Sequence, residues 1–528
     1  MTRALIKVFL YRYFLICGLV AHVALLIGVA ALPVLEGSAA SWSIVRSLYE
    51  HAHARYPAVA VGLTQSLHDV GLIGRYRSPG SIELPSFPGP DAWPRQGVTS
   101  NGFLEQGYGA AGEPVQSLPR EMPAELPSAT TRVTTVDALT SALRSAKAGD
   151  VIEILPGTYR VSGRGIALGA GGTPDRPIHL RARRIGDVTL EFETLEGFLV
   201  DQPYWVFENL TIQGVCQNDD HCEHAFHVVG GAVGTTIRNN RLLDFNAALK
   251  VNGLEVASRS LYPDLGLVQN NTIVNSHARQ TANPVTPLNI DAANGWVVSA
   301  NFIADFSKAQ GNRVSYGAFM KSNSQGGVFE RNLVVCQWQI PSAGDVRIGL
   351  SFGGGGTGAS FCRQQSCETE HRQGIIRNNI IARCPSDVGI YLNRAAETQI
   401  YRNLLVANWG IDVRFPSSSA VIFDNLIEGS IRDRDGGFHV DSNNLMTSSC
   451  GLFARIMGRC GPGYWYQDAV AGDLRLRHGE QIRGAARLDG AKAEVDFCGH
   501  ARGAGSVLGP IDYGQANGCL PVLGAVPE

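Results

Sequence analysis

The sequence carries no excess of charge of either sign: 45 Lys and Arg stand against 47 Asp and Glu, a formal net charge of −2 over 528 residues. Without a basic field, binding of duplex DNA or RNA by phosphate neutralisation is excluded as a general mode, and attraction for a polyanion has to be local. No CxxC pair occurs among the cysteines, which argues against a structural zinc site. Gly is abundant at 61 residues but follows no collagen period, so it signals tight turns between short strands. With 44% hydrophobic and 17% charged residues, the chain reads as globular and long enough for one large domain with accessories.

Arg3, Lys7 and Arg12 precede a mostly apolar run from Tyr13 to Leu35. A run of roughly 22 apolar residues matches the length needed to cross a bilayer, and cations in front of it keep the N-terminus cytoplasmic. Residues 1–36 are therefore predicted to be a cytoplasmic tip and transmembrane anchor. The lipid bilayer is then one partner, and the chain sits in the inner membrane as a single-pass protein with its bulk in the periplasm. Secretion after signal cleavage is the alternative, because Gly28, Ala30, Ala31 and the stretch from Gly37 to Ala40 offer small residues to a peptidase. Residues 37–130 read as a linker, helix-compatible at first and then rich in Pro, Gly, Ser and Glu.

Cysteine usage also points to an oxidising compartment. Cys17 lies in the apolar run, which leaves ten beyond it. Cys216 with Cys222, Cys362 with Cys367, and Cys450 with Cys460 are close in sequence and predicted to pair; Cys336 with Cys384 and Cys498 with Cys519 remain.

The main domain is predicted over residues 131–520. It opens on VTTVDALTSALRSAKAGD, where Leu139, Ala142, Leu143 and Ala146 form one apolar face and Gly149 supplies a stop. A short helix in front of the first strand, VIEIL, has a clear use in a solenoid, whose open apolar end needs a cap. An irregular repeat follows, marked by Asn before an apolar strand, at Asn209, Asn240, Asn271, Asn301, Asn332, Asn379, Asn403, Asn425 and Asn444. The step is near 31 residues at first, then 47 once, then 19 to 24, which suits one coil per repeat with loops of variable length. Stacked amides at one corner of successive coils can bond along the stack, so these Asn residues are structural. The fold class is accordingly all-β, a right-handed parallel β-helix; the Leu-x-x-Leu-x-Leu frame of a leucine-rich repeat is missing. In this register Cys336 and Cys384 occupy nearly equivalent positions of adjacent coils, within disulfide reach.

Strands after the corner Asn align as a second column: HAFHVVG, AALKVNG, PLNIDAA, AFMKSNS, RIGLSFG, GIYLNRA and GIDVRFP. Alternation sends Phe226, Val228, Leu249, Val251, Leu288, Ile290, Met320, Ile348, Leu350, Ile390, Leu392, Ile411 and Val413 inward. The opposite parity puts His227, Lys250, Asn252, Asn289, Asp291, Lys321, Asn323, Arg347, Tyr391, Asn393, Asp412 and Arg414 outside. A column so rich in amides, acids and cations reads as a binding groove for an acidic polysaccharide.

Three segments carry a family resemblance. AKAGDVIEILPGTY, GTPDRPIHLRA and GDVTLEF resemble the opening coils of polysaccharide lyase family six, the chondroitinase B and alginate lyase group. MKSNSQGGVFERN is similar to the Lys-Ser segment that holds that family's catalytic lysine. The resemblance spans about Arg132 to Asn444. It implies β-elimination on a uronate polymer, with Lys321 as the base that removes the proton at carbon 5 and Arg347 as the arginine that stabilises the enediolate or assists the leaving group. Placed one coil on, Arg347 would favour the neutral amine of Lys321 by like-charge repulsion. Lys250, His227, Asn252, Asn289, Asp291, Asn323, Tyr391, Asn393 and Arg414 are the expected substrate contacts.

No cofactor is expected. The family's calcium ligands are acids a few residues before the lysine, and here that stretch reads NRVSYGAF. A displaced calcium site at Asp291, Asn289 and Asn252, or a metal in the loop CQNDDHCEHAFH, are the alternatives. A uronate C5-epimerase, which shares the proton abstraction, and a non-catalytic polysaccharide-binding or scaffolding protein remain beside the lyase.

Overall fold

The computed structural model describes residues 127–256, 259–384, 386–480, 482, 495–502, 507–513 and 523. Among these, no helix is long and apolar enough to cross a membrane; the expected anchor, and the expected linker up to residue 126, lie outside the described residues.

The chain winds as a parallel β-helix. Successive short strands feed three stacked sheets of twelve, eleven and ten strands, and each coil contributes one strand to each sheet in turn. One coil shows the pattern: Thr236–Arg238 lies in the first sheet, Arg241–Leu243 in the second and Ala247–Asn252 in the third. The corner between the first two sheets is only two residues long, and its first residue adopts a left-handed backbone. Asn239, Asn270, Asn378 and Asn443 fill that position, and Asp424 does as well. Asn and Asp enter this region more readily than other side-chain-bearing residues because their short polar groups bond locally.

The second corner residue forms the ladder. Asn240 Nδ2 and its backbone N–H both donate to Asn271 Oδ1, and the same pair of bonds links Asn271 to Asn301, Asn301 to Asn332, Asn332 to Asn379, Asn379 to Asn403, Asn403 to Asn425 and Asn425 to Asn444. Every rung from Asn240 to Asn425 is fully buried, so the amides satisfy one another in place of water. Asn209 departs from the predicted set. Leu210 occupies its rung and donates its backbone N–H to Asn240 Oδ1. Asn209 sits one residue earlier, in the left-handed position, and its Oδ1 accepts from Asn239.

The interior is one continuous apolar column. Pairing puts Phe226, Leu249, Leu288, Ala318, Leu350, Ile390, Ile411 and Ile431 in line, and all of them are buried. The predicted helix is Val136–Ser145; Thr135 caps its N-terminus by accepting from Ala138 N–H, and Leu139 and Leu143 are buried at the first coils. Disulfides join Cys216 to Cys222, Cys336 to Cys384, Cys362 to Cys367 and Cys450 to Cys460, which fits an oxidising compartment outside the cytoplasm. Cys498 is disulfide-bonded too, while Cys519 lies outside the described residues.

Candidate functional site

Strand pairing in the third sheet decides which polar residues share a face. His227 aligns with Lys250, Lys250 with Asn289 and Asn289 with Phe319; two residues further along, Asp291 aligns with Lys321. Beyond them Tyr391 aligns with Asp412, and Asn393 with Arg414 and then Arg434. All have the parity opposite to the buried column, so the sequence-derived face holds for His227, Lys250, Asn252, Asn289, Asp291, Lys321, Tyr391, Asn393, Asp412 and Arg414. The face is a recess and not an open stripe: Asn289, Asp291, Tyr391, Asn393 and Asp412 are buried, and the others partly exposed.

Asp291 is the hub of the recess. Its Oδ2 accepts from Lys250 Nζ, which also donates to Asn289 Oδ1 at 3.0 Å. Its Oδ1 accepts from Ser322 Oγ at 3.2 Å and lies 3.9 Å from Lys321 Nζ. Lys321 is held more loosely than Lys250. It donates to the Gly355 carbonyl at 3.4 Å, and its ammonium lies 4.7 Å from the centre of the Phe319 ring. Further along, His227 bridges Glu196 Oε1 at 2.7 Å and Asn252 Oδ1 at 2.8 Å. The hydrogen bond from His227 holds the Glu196 carboxyl below its ordinary range. Burial, helped by the charges of His227 and Lys250, pushes neighbouring His224 down to about 4.

Three features of the recess were not anticipated from sequence. Gly353–Gly356 bring backbone against Lys321: a Cβ on Gly353 would overlap the Asn393 carbonyl oxygen at 1.8 Å, and one on Gly354 would stand 3.2 Å from Lys321 Cδ. Ser322 and Asn323, directly after the lysine, both have left-handed backbones, and Ser322 Oγ also bonds Thr357 Oγ1. Finally, Glu370 is buried behind the lysine. Burial pushes its carboxyl up, opposed by the Lys321 charge and by the backbone N–H groups of Ser322 and Gly354. The glycine run was visible in the sequence, but Glu370 sits in the 47-residue step where no periodic marker assigns it a face.

Arg347 does not belong to the recess. Its side chain is 1% exposed, and its guanidinium donates to Asp345 Oδ2 at 2.6 Å, to the carbonyls of Cys336 and Ile340 at 2.7 and 2.9 Å, and to that of Pro341 at 3.0 Å. The alternation slips at Gly349. A Cβ there would come within 2.6 Å of Ile381 in the core, so Gly349 as well as Leu350 faces inward and the parity of the strand residues before it is reversed. Arg347 is thereby turned in, and Ile348 out, to pack with Val388 and Tyr391. The neighbour of Lys321 is a carboxylate, not a guanidinium. Asn323 turns away as well: it lies past the strand end and donates to the Arg363 carbonyl, while Arg363 reaches across to Asp264 and stacks on Tyr262.

At the far end, Arg414 donates to Tyr391 OH and pairs with Asp435, and Asp412 takes Arg432 and Arg434 together. Each of these guanidiniums is held by an acid, two of them sharing Asp412. Asp387, buried close to Asp412, is raised to about 6 by burial first and by that carboxylate second.

The residues weighed as a displaced calcium site do not fit a cation. Asn289 and Asp291 present oxygens to the Lys250 ammonium, and Asn252 presents its oxygen to His227. Asp219 in the disulfide loop is taken by Arg279 and His277, and Asp220 by Thr281, as a clasp between loops. Among the described residues Asp496, Cys498 and His500 cluster, but a disulfide-bonded Cys498 offers no thiolate.

The sequence matches no protein-family model and no curated protein. Among solved structures the chain is similar to pectate lyase Pel9A, at 12% identity over 73% of this chain and 97% of that one, with a TM-score of 0.49. It is also similar to the PL6 family polysaccharide lyase Pedsa3628 from Pseudopedobacter saltans, at 14% identity over 63% and 95% with a TM-score of 0.34. An alginate lyase from Paenibacillus sp. aligns at 12% identity over 60% and 96%, with a TM-score of 0.30. The likeness is one of fold, which the strand pairing establishes independently.

Proposed function

We propose that the chain is a polysaccharide lyase that takes an acidic, uronate-containing polymer along the outer face of the third sheet and cleaves it by β-elimination, with Lys321 as the base. The observation that carries this reading is the convergence of Lys250, Asp291 and Lys321, from three successive coils, in one recess. Elimination beside a carboxylate needs positive charge for that carboxylate, a group to take the carbon-5 proton and a donor for the departing oxygen. Two lysines around one acid offer these. A coil rise near 4.8 Å, comparable with one pyranose unit, suits a polymer lying along the stack. Hydrolysis is disfavoured because it calls for two facing carboxyl groups across the bond: Asp412 lies several coils from Asp291, and Glu370, the nearer acid, is buried behind Lys321 and not on the outer face. His227, Asn252, Asn289, Tyr391, Asn393 and Arg414 are assigned to substrate contact; Arg347 and Asn323 are not. The N-terminal segment tethers the enzyme to the membrane in this reading.

Incubating the full-length protein with alginate, chondroitin and pectate, and following ultraviolet absorbance, tests it. Elimination creates an unsaturated, absorbing end on one of them, and Lys321→Ala lowers the rate ~100-fold or more. Exchange at carbon 5 without an absorbing product would indicate an epimerase. Retention on a polymer with no chemistry would indicate a binding protein.

A further inference from the structure

Elimination needs a proton donor as well as a base, and the arginine expected to supply it is locked inside the stack on four oxygens. We infer that Lys250 is the second catalytic group, protonating the departing oxygen, and that Asp291 returns the proton from Lys321 to Lys250 after each turnover. This assignment rests on the elimination reading above and extends it.

The geometry separates the two lysines. Lys250 Nζ is fixed by two oxygens, Asn289 Oδ1 and Asp291 Oδ2, which hold it as a donor with a third hydrogen free to point elsewhere. Lys321 Nζ has only a long contact to the Gly355 carbonyl and lies 3.9 Å from Asp291 Oδ1, so it can act as an amine without breaking a short ion pair. Both side chains reach solvent, at 20% exposure for Lys250 and 13% for Lys321, so both can reach a bound sugar. Asp291 bonds Lys250 through Oδ2 and turns Oδ1 toward Lys321 Nζ at 3.9 Å, so it stands between the two lysines and is in reach of Lys321 after a small side-chain shift.

The proton count closes. Lys321, as the amine, takes the carbon-5 hydrogen, and the electrons of that bond pass into the uronate carboxylate as an enediolate. Their return forms the carbon 4–carbon 5 double bond and breaks the bond from carbon 4 to the glycosidic oxygen. That oxygen leaves with the pair and takes a proton from the Lys250 ammonium. Lys321 is then charged and Lys250 neutral, and one proton moved through Asp291 restores both. No oxidant, reductant or metal enters the balance.

The test separates donor from base by isotope exchange. Wild type, Lys250→Gln and Lys321→Gln are incubated in deuterated water with whichever of alginate, chondroitin and pectate the wild type cleaves. Absorbance measures elimination, and mass spectrometry of recovered polymer measures deuterium at carbon 5. If Lys250 is the donor, Lys250→Gln lowers elimination ~100-fold while exchange continues, because the enediolate still forms and is reprotonated from solvent. Lys321→Gln loses both. Asp291→Asn, which keeps the size but breaks the path, slows elimination with a smaller loss of exchange. Lys250→Arg retains more elimination than Lys250→Gln, since it restores a cation and a donor, and a thermal melt shows which variants fold. Wild-type elimination in Lys250→Gln, or equal loss of exchange and elimination in a folded Lys250→Gln, overturns the assignment while leaving the lyase reading intact. A wild type that eliminates none of the polymers overturns both.

Discussion

The second and third sheets are wound from the same coils yet present opposite outer faces. In the second, Phe302–Ala304, Leu333–Val335, Ile380–Ala382 and Leu404–Val406 are buried at every residue, because both faces are apolar. Their outward side chains, Phe302, Ala304, Leu333, Val335, Ile380, Ala382, Leu404 and Val406, are covered by Trp465, Tyr466, Leu474, Phe497, Leu508 and Ile511 from the end of the chain. In the third sheet the same positions hold Lys250, Asn289, Asp291, Lys321 and Asn393. One face is closed by the protein itself, whereas the other keeps charges and amides with hydrogen-bonding capacity to spare. The inner Asn ladder sharpens the point, because its rungs are identical and consume one another's bonds. A column whose members differ from coil to coil does not serve stacking.

If that contrast is physical, substitutions should divide into those that unfold and those that only inactivate. The largest stability loss is expected from Arg347→Ala, about 3–5 kcal/mol in chemical denaturation, because Asp345, itself 1% exposed, is left as a buried unpaired charge. Burial alone would raise the Asp345 carboxyl, and the hydrogen bond and charge of Arg347 hold it below its ordinary range. The folded fraction of this variant should eliminate at the wild-type rate. Selective loss of turnover in a stably folded Arg347→Ala would return the residue to the chemistry and break the comparison. Leu404→Ala on the covered face comes next, at about 2–4 kcal/mol with turnover intact, from lost burial and a cavity under the C-terminal layer. Lys321→Ala should lie at the other pole, within about 1 kcal/mol of wild type, since its ion pair is long and partly exposed.

What the sequence made legible follows the same division. The Asn marker and the strand period gave the solenoid, the ladder, the interior column and the alignment of Lys250, Asp291 and Lys321, because each is a consequence of a fixed period. Arg347 was misread where the period breaks: Gly349 fits the interior only for want of a side chain, and one such residue reverses the faces of the strand residues before it. Asn209 was misread by a single residue for a similar reason, since two adjacent corner positions both favour Asn. Glu370 and the contact of Gly355 with Lys321 arise from loop closure across coils, which no repeat encodes. The apolar second face was readable in ANFIA, RNLVV, NNIIA and RNLLV, whose strands do not alternate, and this announces a covering layer.

The smallest effect concerns protons. His371 is enclosed in the interior, stacked on Phe352 at 4.1 Å, with Ser324 Oγ against Nδ1 and Gly327 N–H donating to Nε2; burial lowers it to about 3. His224, beside the outer face, is lowered to about 4. Both are neutral in the folded chain where the unfolded chain, at the ordinary value of 6.5, already binds protons. Stability therefore falls as the pH drops below about 6.5, and the fall ends for each residue only when its folded form also protonates. Glu196, whose carboxyl is lowered, adds to the loss only below its ordinary value of 4.5. Between pH 6.5 and 4.5 Asp387, raised to about 6, takes up a proton in the folded chain and offsets part of this loss, so substitution is what separates the share of each histidine. His371→Gln, which keeps a donor for Ser324 but cannot titrate, should reduce the acid slope of the unfolding free energy in that window by up to about one proton equivalent. His224→Gln should remove a comparable share. Denaturation curves across this range decide it: a slope unchanged in both variants would mean that neither the interior nor the recess holds its histidine neutral.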